Sequence, residues 1–135
     1  MDTTATPWVL LVEDDETLAG LLTDHLRRRG IAAQTSATVT ETVERLAAGE
    51  RPALIVLDIN LPDGAGWQVA RDPRYVQAGR PPIVVASAVG VRPAQLATAG
   101  IAGYLPKPFP LTTFMDVVER HLRPAEAPAA TEERP

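Results

Sequence analysis

Short apolar runs alternate with amphipathic stretches along the whole chain. The runs are typical of strands that are buried on both faces of a parallel sheet. We predict strands at residues 8–12, 31–36, 53–57, 83–86 and 103–105. The alternation of strand and helix predicts parallel strands, joined by right-handed crossovers, with helices on both faces of the sheet. The fold class is therefore a doubly wound α/β domain.

Apolar periodicity predicts three clear helices. Leucines recur at helical spacing over residues 16–29, and Gly30 is typical of a helix end. Thr38 and Glu41 have the spacing of a capping box, which predicts a helix through residue 48. The last helix is predicted at residues 111–122. The side chains expected to face the core are Leu18, Leu21, Leu22, Leu26, Val39, Val43, Leu46, Leu111, Phe114, Val117, Val118 and Leu122.

Two further segments contain residues that restrict helix formation. A short helix is predicted from about Trp67 to Pro73, followed by a loop at residues 74–80, because proline ends a helix at the preceding residue. Residues 89–99 are weakly helical, since Pro93 allows only a late start. Residues 106–110 contain three prolines and are predicted to be irregular. We therefore expect the third and fourth helices to be short or irregular.

Length and composition narrow the class of protein. The chain has 135 residues and no cysteine, which excludes a disulfide framework, a thiolate nucleophile and a cysteine-based metal site. We predict one domain at residues 8–123, an N-terminal extension at residues 1–7, and a Pro/Ala/Glu-rich tail or linker at residues 124–135. The net charge of −4 argues against direct binding to nucleic acid. The sequence lacks a signal-peptide pattern and a membrane-spanning apolar run, so we expect a cytoplasmic protein without membrane contact.

Polar side chains stand at the carboxyl ends of four predicted strands. Glu13 and Asp14 follow the first strand, Asp58 follows the third, Ser87 follows the fourth, and Lys107 comes after the fifth. Each residue alone could be a helix cap, a turn residue or a solvated charge. In such sheets, ligands bind beyond the carboxyl ends of the strands. The occurrence of these polar residues at four strand ends therefore predicts one site.

The residue types in this set indicate its chemistry. Two carboxylates about 4 Å apart repel each other by about 1 kcal/mol in water and by about 4 kcal/mol near a protein surface, so a cation is expected. Oxygen ligands without His or Cys favour Mg²⁺ or Mn²⁺ over zinc. With the ion bound, Asp58 can attack a phosphoryl group. Lys107 and the Ser87 hydroxyl would then stabilise the phosphoryl oxygens, which predicts a site that receives a phosphoryl group.

Four motifs in this order resemble the response-regulator receiver domain of two-component signalling. They are LVEDD at residues 11–15, LDINLPDG at 57–64, SA at 87–88 and YLPKPF at 104–109. The resemblance covers about residues 8–122. It implies a flavodoxin-like (βα)5 fold with the strand order 2-1-3-4-5.

The resemblance also implies a role for each acidic residue of the site. Asp58 would be the phosphoacceptor and a metal ligand. Asp14 would bind Mg²⁺ directly, Glu13 would act through a water molecule, and the main-chain carbonyl of Asn60 would be a third protein ligand. Mg²⁺, or Mn²⁺ in its place, would be the only cofactor.

The remaining roles concern the transmission of the signal. Lys107 would pair with the phosphoryl oxygens, and its peptide bond to Pro108 would be cis, as in the family. Ser87 would bind the phosphoryl group and couple it to the switch. Tyr104 would be the aromatic residue whose ring turns inward when Ser87 moves.

The resemblance implies partners and leaves alternatives open. The phosphoryl donor would be a sensor histidine kinase or a phosphotransfer protein, and the output would be a downstream protein or a C-terminal domain outside this chain. The chain would be a monomer or weak homodimer, and a signalling receiver that catalyses only its own phosphorylation and dephosphorylation. One alternative is a binding module that is independent of phosphorylation. Another is a phosphatase with an Asp nucleophile, but that chemistry requires a second Asp where this chain has Asn60.

Three departures from the family pattern are visible, and one is the short helix that Pro73 ends. Ala65 stands where an acid is common. The stretch from Ser87 to Tyr104 is shorter than usual and contains Gly90, Pro93 and Gly100. Because its helix normally forms part of the signalling face, the departure puts the usual homodimer in doubt.

Overall fold

The computed structural model of the protein describes residues 6–123. The predicted boundaries at residues 1–7 and 124–135 therefore fall largely outside the described part. In chain order the elements are β1 (Trp8–Val12), α1 (Glu16–Arg28), β2 (Ala32–Ser36), α2 (Val39–Ala47), β3 (Leu54–Leu57), β4 (Asn60–Leu61), β5 (Gly64–Ala65), α3 (Trp67–Arg71), α4 (Pro73–Gln77), β6 (Ile83–Ser87), α5 (Pro93–Ala99), β7 (Gly103–Pro106) and α6 (Leu111–Leu122). None of the helices in this range is long and apolar enough to cross a membrane.

The five longer strands form one parallel sheet in the order β2-β1-β3-β6-β7. Numbered as five strands, this order is 2-1-3-4-5, so the predicted doubly wound fold is confirmed. The central strands β1, β3 and β6 are covered on both faces, which explains why their sequences are almost entirely apolar. The two-residue strands β4 and β5 form a separate antiparallel hairpin between β3 and α3.

Each face of the sheet has its own core. On one face α1 and α6 cover buried side chains that include Leu26, Phe114 and Val118. On the other face the shorter helices cover a second cluster that includes Val43, Leu46 and Val69. Each fully buried side chain of this size contributes about 1.5–3 kcal/mol, so both cores are needed to hold the sheet edge in place.

The core prediction is wrong for one residue. Leu21 is 55% exposed, whereas the other predicted residues of α1 contact the core. Ala19 and Thr23 complete the buried stripe of α1 instead. At 3.6 residues per turn, Leu21 lies about two-fifths of a turn away from the centre of that stripe.

The predicted loop at residues 74–80 is also wrong in part, because α4 spans Pro73–Gln77. Pro73 ends α3, as predicted, but its fixed φ and its missing N–H also suit the first position of the next helix. The Asp72 side chain caps that helix by accepting a hydrogen bond from the Arg74 N–H at 2.8 Å. The same proline therefore ends one helix and begins another.

The proline-containing segments at residues 89–99 and 106–110 have different outcomes. Helix α5 begins at Pro93, which confirms the late start, and it ends at Gly100, whose φ is +70°. Pro106, predicted to be irregular, is the last residue of β7 and pairs with Ser87. Proline is tolerated there because β7 is an edge strand that needs no donor on its free side.

Candidate functional site

The parallel strands bring the predicted site residues to one edge of the sheet. Glu13 and Asp14 directly follow β1, and Asp58 directly follows β3. Their carboxylate oxygens lie within 4.8 Å of one another. Asp58 is only 7% exposed and Glu13 is nearly as buried, whereas Asp14 is exposed. The sheet therefore gathers three acids, two of them largely shielded from water.

Lys107 joins the two buried carboxylates. Its Nζ donates to Glu13 Oε1 at 2.6 Å and to Asp58 Oδ2 at 3.1 Å. Its main-chain N–H donates to the Ser87 carbonyl at 2.9 Å, which continues the pairing of β7 with β6. The peptide bond from Lys107 to Pro108 is cis. The lysine is thus held at its backbone while its ammonium lies between the two acids.

The second oxygen of each buried acid accepts a main-chain N–H. Asp58 Oδ1 accepts from Asn60 N at 3.1 Å, and Glu13 Oε2 accepts from Asp15 N at 3.1 Å. Hydrogen bonds to an ionised acceptor fix its orientation more firmly than neutral ones do. Both carboxylates are therefore oriented by the chain on one side and by Lys107 on the other.

Burial and charge shift the pKa values of Glu13 and Lys107 in different ways. Burial raises the pKa of Glu13, and the hydrogen bonds from Lys107 and Asp15 offset only part of that rise. Burial alone would lower the pKa of Lys107, but the hydrogen bonds to Glu13 and Asp58 outweigh it and raise the pKa. Lys107 thus stays an ammonium at neutral pH.

The donor set fits a hard divalent cation. Counted by formal charge, three acids and one lysine leave the cluster with an excess of two negative charges. The cluster offers oxygen atoms only, which suits Mg²⁺ and Mn²⁺ rather than zinc. Of the three acids, Asp14 is the one that accepts no hydrogen bond from Lys107 in the described part of the chain. It is exposed and therefore accessible to an ion from solvent.

The two predicted switch residues contact the same main-chain unit. Ser87 is fully buried, and its Oγ accepts a hydrogen bond from Val89 N at 3.1 Å. The Tyr104 hydroxyl donates to the Val89 carbonyl at 3.1 Å. Ser87 and Tyr104 are thereby connected through Val89, a residue that the sequence analysis did not single out.

Two further residues shape the site without having been predicted. A Cβ at Gly66 would lie 2.3 Å from the Asp58 carbonyl oxygen, so only glycine permits this approach. Asp63 accepts hydrogen bonds from Val39 and Thr40 on α2, and these bonds lower its pKa. The LPDG motif was recognised, but no local pattern indicates which helix Asp63 contacts.

Comparison with known proteins identifies the family. A sequence model described as "Response regulator receiver domain" matches residues 9–119. A response regulator receiver protein of Anaeromyxobacter sp. (strain Fw109-5) is 39% identical over 109 residues, which are 81% of this chain and 43% of the relative. The KDP operon transcriptional regulatory protein KdpE of Escherichia coli (strain K12) is 36% identical over 103 residues, which are 75% of this chain and 44% of KdpE. The chain thus spans less than half the length of these relatives.

Solved structures of similar shape include two receiver domains. The signal receiver domain of a putative LuxO repressor protein from Vibrio parahaemolyticus has a TM-score of 0.79 and 27% identity, covering 96% of this chain and all of that one. The receiver domain of the sensor histidine kinase PA1611 from Pseudomonas aeruginosa PAO1, with a magnesium ion in its active-site cleft, has a TM-score of 0.74 and 26% identity, covering 87% and 98%. With the site and the family match in agreement, this chain belongs to the response regulator receiver domain family of two-component signalling.

Proposed function

We propose that Asp58 accepts a phosphoryl group from a phosphohistidine donor. The observation that carries the proposal is the contact of Asp58 with Lys107 inside a cluster of three acids. In the proposed step an Asp58 carboxylate oxygen bonds to phosphorus while the bond from phosphorus to the donor imidazole nitrogen breaks. The imidazole leaves with the electron pair and takes a proton. The product is an acyl phosphate on Asp58.

Mg²⁺ is the cofactor that these residues would hold. We assign Asp14, Asp58 and the main-chain carbonyl of Asn60 as direct ligands, and Glu13 as a ligand through water. The ion, when bound, neutralises the charge of the acids and of the incoming phosphoryl oxygens. The excess negative charge of the cluster and its oxygen-only donors support this assignment.

Lys107 and Ser87 are the residues assigned to the phosphoryl oxygens. The Lys107 ammonium already lies 3.1 Å from Asp58 Oδ2, so it is close to the place where the phosphoryl group would attach. The Ser87 Oγ accepts a hydrogen bond from Val89, which leaves its own proton free to be donated. When Ser87 turns toward the phosphoryl group, the Val89 segment loses one of its contacts. We propose that the Tyr104 ring then turns inward.

The partners follow from the class of reaction. The donor would be a sensor histidine kinase or a phosphotransfer protein. Because KdpE and similar relatives are named as transcriptional regulators and are more than twice as long as the matched part, the output would be a domain outside this chain or a separate protein. We propose residues 8–123 as the receiver unit, acting as a monomer or weak homodimer that does not itself bind nucleic acid.

The experiment that tests this function is intact mass spectrometry after incubation with acetyl phosphate and Mg²⁺. One added phosphoryl group is expected in the wild type and none in Asp58→Asn, which is expected to fold normally. A beryllofluoride complex, detected by fluorine NMR, covers the case of rapid hydrolysis. If the wild type forms neither the adduct nor this complex and does not bind Mg²⁺, the chain is instead a binding module that is independent of phosphorylation.

A further inference from the structure

The β4–β5 hairpin carries Asn60 and begins two residues after Asp58. Its base is held closely to the end of β3. Gly66 N donates to the Ile59 carbonyl at 2.7 Å, and the absent side chain of Gly66 lets it approach the Asp58 carbonyl. Asn60 N donates to Asp58 Oδ1 on the same side. The base of the hairpin is therefore fixed to the site itself.

The tip of the hairpin is held by a different element. Asp63 lies in the turn between β4 and β5, and its carboxylate accepts three hydrogen bonds from the start of α2. Asp63 Oδ1 accepts from Val39 N at 2.8 Å, and Oδ2 accepts from Thr40 N at 2.9 Å and from Thr40 Oγ1 at 2.8 Å. A carboxylate at this place also interacts favourably with the positive end of the helix dipole. The tip is thus attached to a helix that covers another part of the sheet.

Helix α2 has side-chain caps of its own and does not depend on Asp63 to begin. The Thr38 Oγ1 accepts from Glu41 N at 2.9 Å, and the Glu41 carboxylate accepts from Ala37 N at 2.9 Å. The helix is also anchored by the buried side chains of Val43 and Leu46. Loss of the Asp63 carboxylate would return two exposed amides to water and leave the helix in place. The hairpin has no comparable second attachment at its tip among the described hydrogen bonds.

We propose that Asp63 is a positioning residue for the metal site: by attaching the hairpin to α2 it holds the main-chain carbonyl of Asn60 in place for Mg²⁺. This inference rests on the proposed function. Mg²⁺ requires near-ideal octahedral geometry and short ligand distances, so a ligand on a two-residue strand must be held on both sides. Gly66 holds the base, and Asp63 holds the tip.

Three variants of the full chain test the proposal by NMR. Asp63→Ala removes all three hydrogen bonds. Asp63→Asn removes the charge but keeps an acceptor oxygen, so it separates position from electrostatics. Thr38→Ala is the matched control, because it removes a cap from the same helix and leaves the hairpin attached. Amide hydrogen exchange is measured without metal at Asn60 and Gly66, and the half-saturating Mg²⁺ concentration is measured from amide shifts.

We expect Asp63→Ala to raise the half-saturating Mg²⁺ concentration about tenfold, the lower end of the range for residues that support metal ligands. Exchange at Asn60 and Gly66 is expected to accelerate by a similar factor in Asp63→Ala, by less in Asp63→Asn, and not at all in Thr38→Ala. Asp63→Asn is expected to bind Mg²⁺ with an intermediate affinity.

Two results would overturn the assignment of Asp63. One is unchanged exchange at Asn60 and Gly66 in Asp63→Ala. The other is equal loss of Mg²⁺ affinity in the Ala and Asn variants, which would show that only the charge matters. A wild type that binds no Mg²⁺ would refute the proposed function first, and the role of Asp63 toward the ion would fail with it. Because the exchange measurement needs no metal, the two failures can be distinguished.

Discussion

The two faces of the sheet are built from helices of very different length. One face is covered by α1 and α6, with 13 and 12 residues. The other is covered by α2, α3, α4 and α5, with 9, 5, 5 and 7 residues. Between α3, α4 and α5 the second face leaves an open groove of about 900 Å³, lined in part by Trp67, Tyr75 and Thr98.

Two of the segments assigned to metal binding and switching, the hairpin with Asn60 and the Val89 segment, belong to the face with short helices, whereas Glu13 and Asp14 lead into α1. The β4–β5 hairpin leads into α3, and the Val89 segment leads into α5. Segments with few buried contacts open at low free-energy cost, whereas long helices on a dense core do not. The difference leads us to expect that α1 and α6 open less readily than the opposite face, which carries two of the segments proposed to respond to phosphorylation.

The largest expected effect tests this difference with one substitution on each face. Leu26→Ala on α1 should lower the free energy of unfolding by about 2–5 kcal/mol, because the side chain is fully buried and leaves a cavity. Leu96→Ala on α5 should cost clearly less, since Leu96 is only partly buried against the second core. Urea denaturation measures both. Equal losses would contradict the proposed division between the two faces.

An intermediate effect is expected at the site, where stability depends on charge rather than on either core. Lys107→Ala should lower the free energy of unfolding by about 1.5–3 kcal/mol without Mg²⁺, because Glu13 and Asp58 lose a charged hydrogen-bond donor. Added Mg²⁺ should bind to the variant and reverse much of this loss of stability. The inward turn of the Tyr104 ring on phosphorylation should no longer occur. Leu26→Ala is the control: Mg²⁺ should stabilise it only as much as it stabilises the wild type, since binding of the ion does not fill a cavity. A Lys107→Ala variant that switches normally would contradict the role of Lys107.

The smallest expected effect is the pH dependence that comes from two capping acids on the face with short helices. The main-chain N–H groups of Thr40 and Val39 lower the pKa of Asp63, and the Arg74 side chain and main-chain N–H lower the pKa of Asp72. Groups with a lowered pKa contribute stability above their ordinary value of 3.8, and this contribution is lost as the pH falls through the folded-state pKa.

Thermal unfolding between pH 5 and pH 2 checks this prediction. The double variant Asp63→Asn, Asp72→Asn should lose less stability on acidification than the wild type. The difference should be small, because Asp63 is exposed and Asp72 is only partly buried. The matched control is Asp24→Asn on α1, whose partner Arg28 lies on the solvent side of that helix. If Asp24→Asn alters the loss of stability between pH 5 and pH 2 as much as the double variant does, the assignment of the pH dependence to the two caps is wrong.

Much of the fold was predictable because its signals are local. The apolar runs of β1, β3 and β6 and the stripe of α6 follow from a few neighbouring residues, and α6 was predicted with the bounds that it has in the structure. Leu21 was placed wrongly because a leucine next to an amphipathic stripe looks like part of it. Helix α4 was missed because Pro73 is compatible both with an end and with a beginning.

The sequence by itself determined two features: the alternation of strands and helices, and the polar residues that end the strands. Both depend only on residues that are close together in the chain. Only the tertiary structure decided how those residues meet. Lys107 lies 94 residues from Glu13 and 49 residues from Asp58 in the chain, and Asp63 lies 24 residues from Val39. Contacts at such separation form only when packing of the sheet and its helices brings the segments together, so no local pattern specifies them.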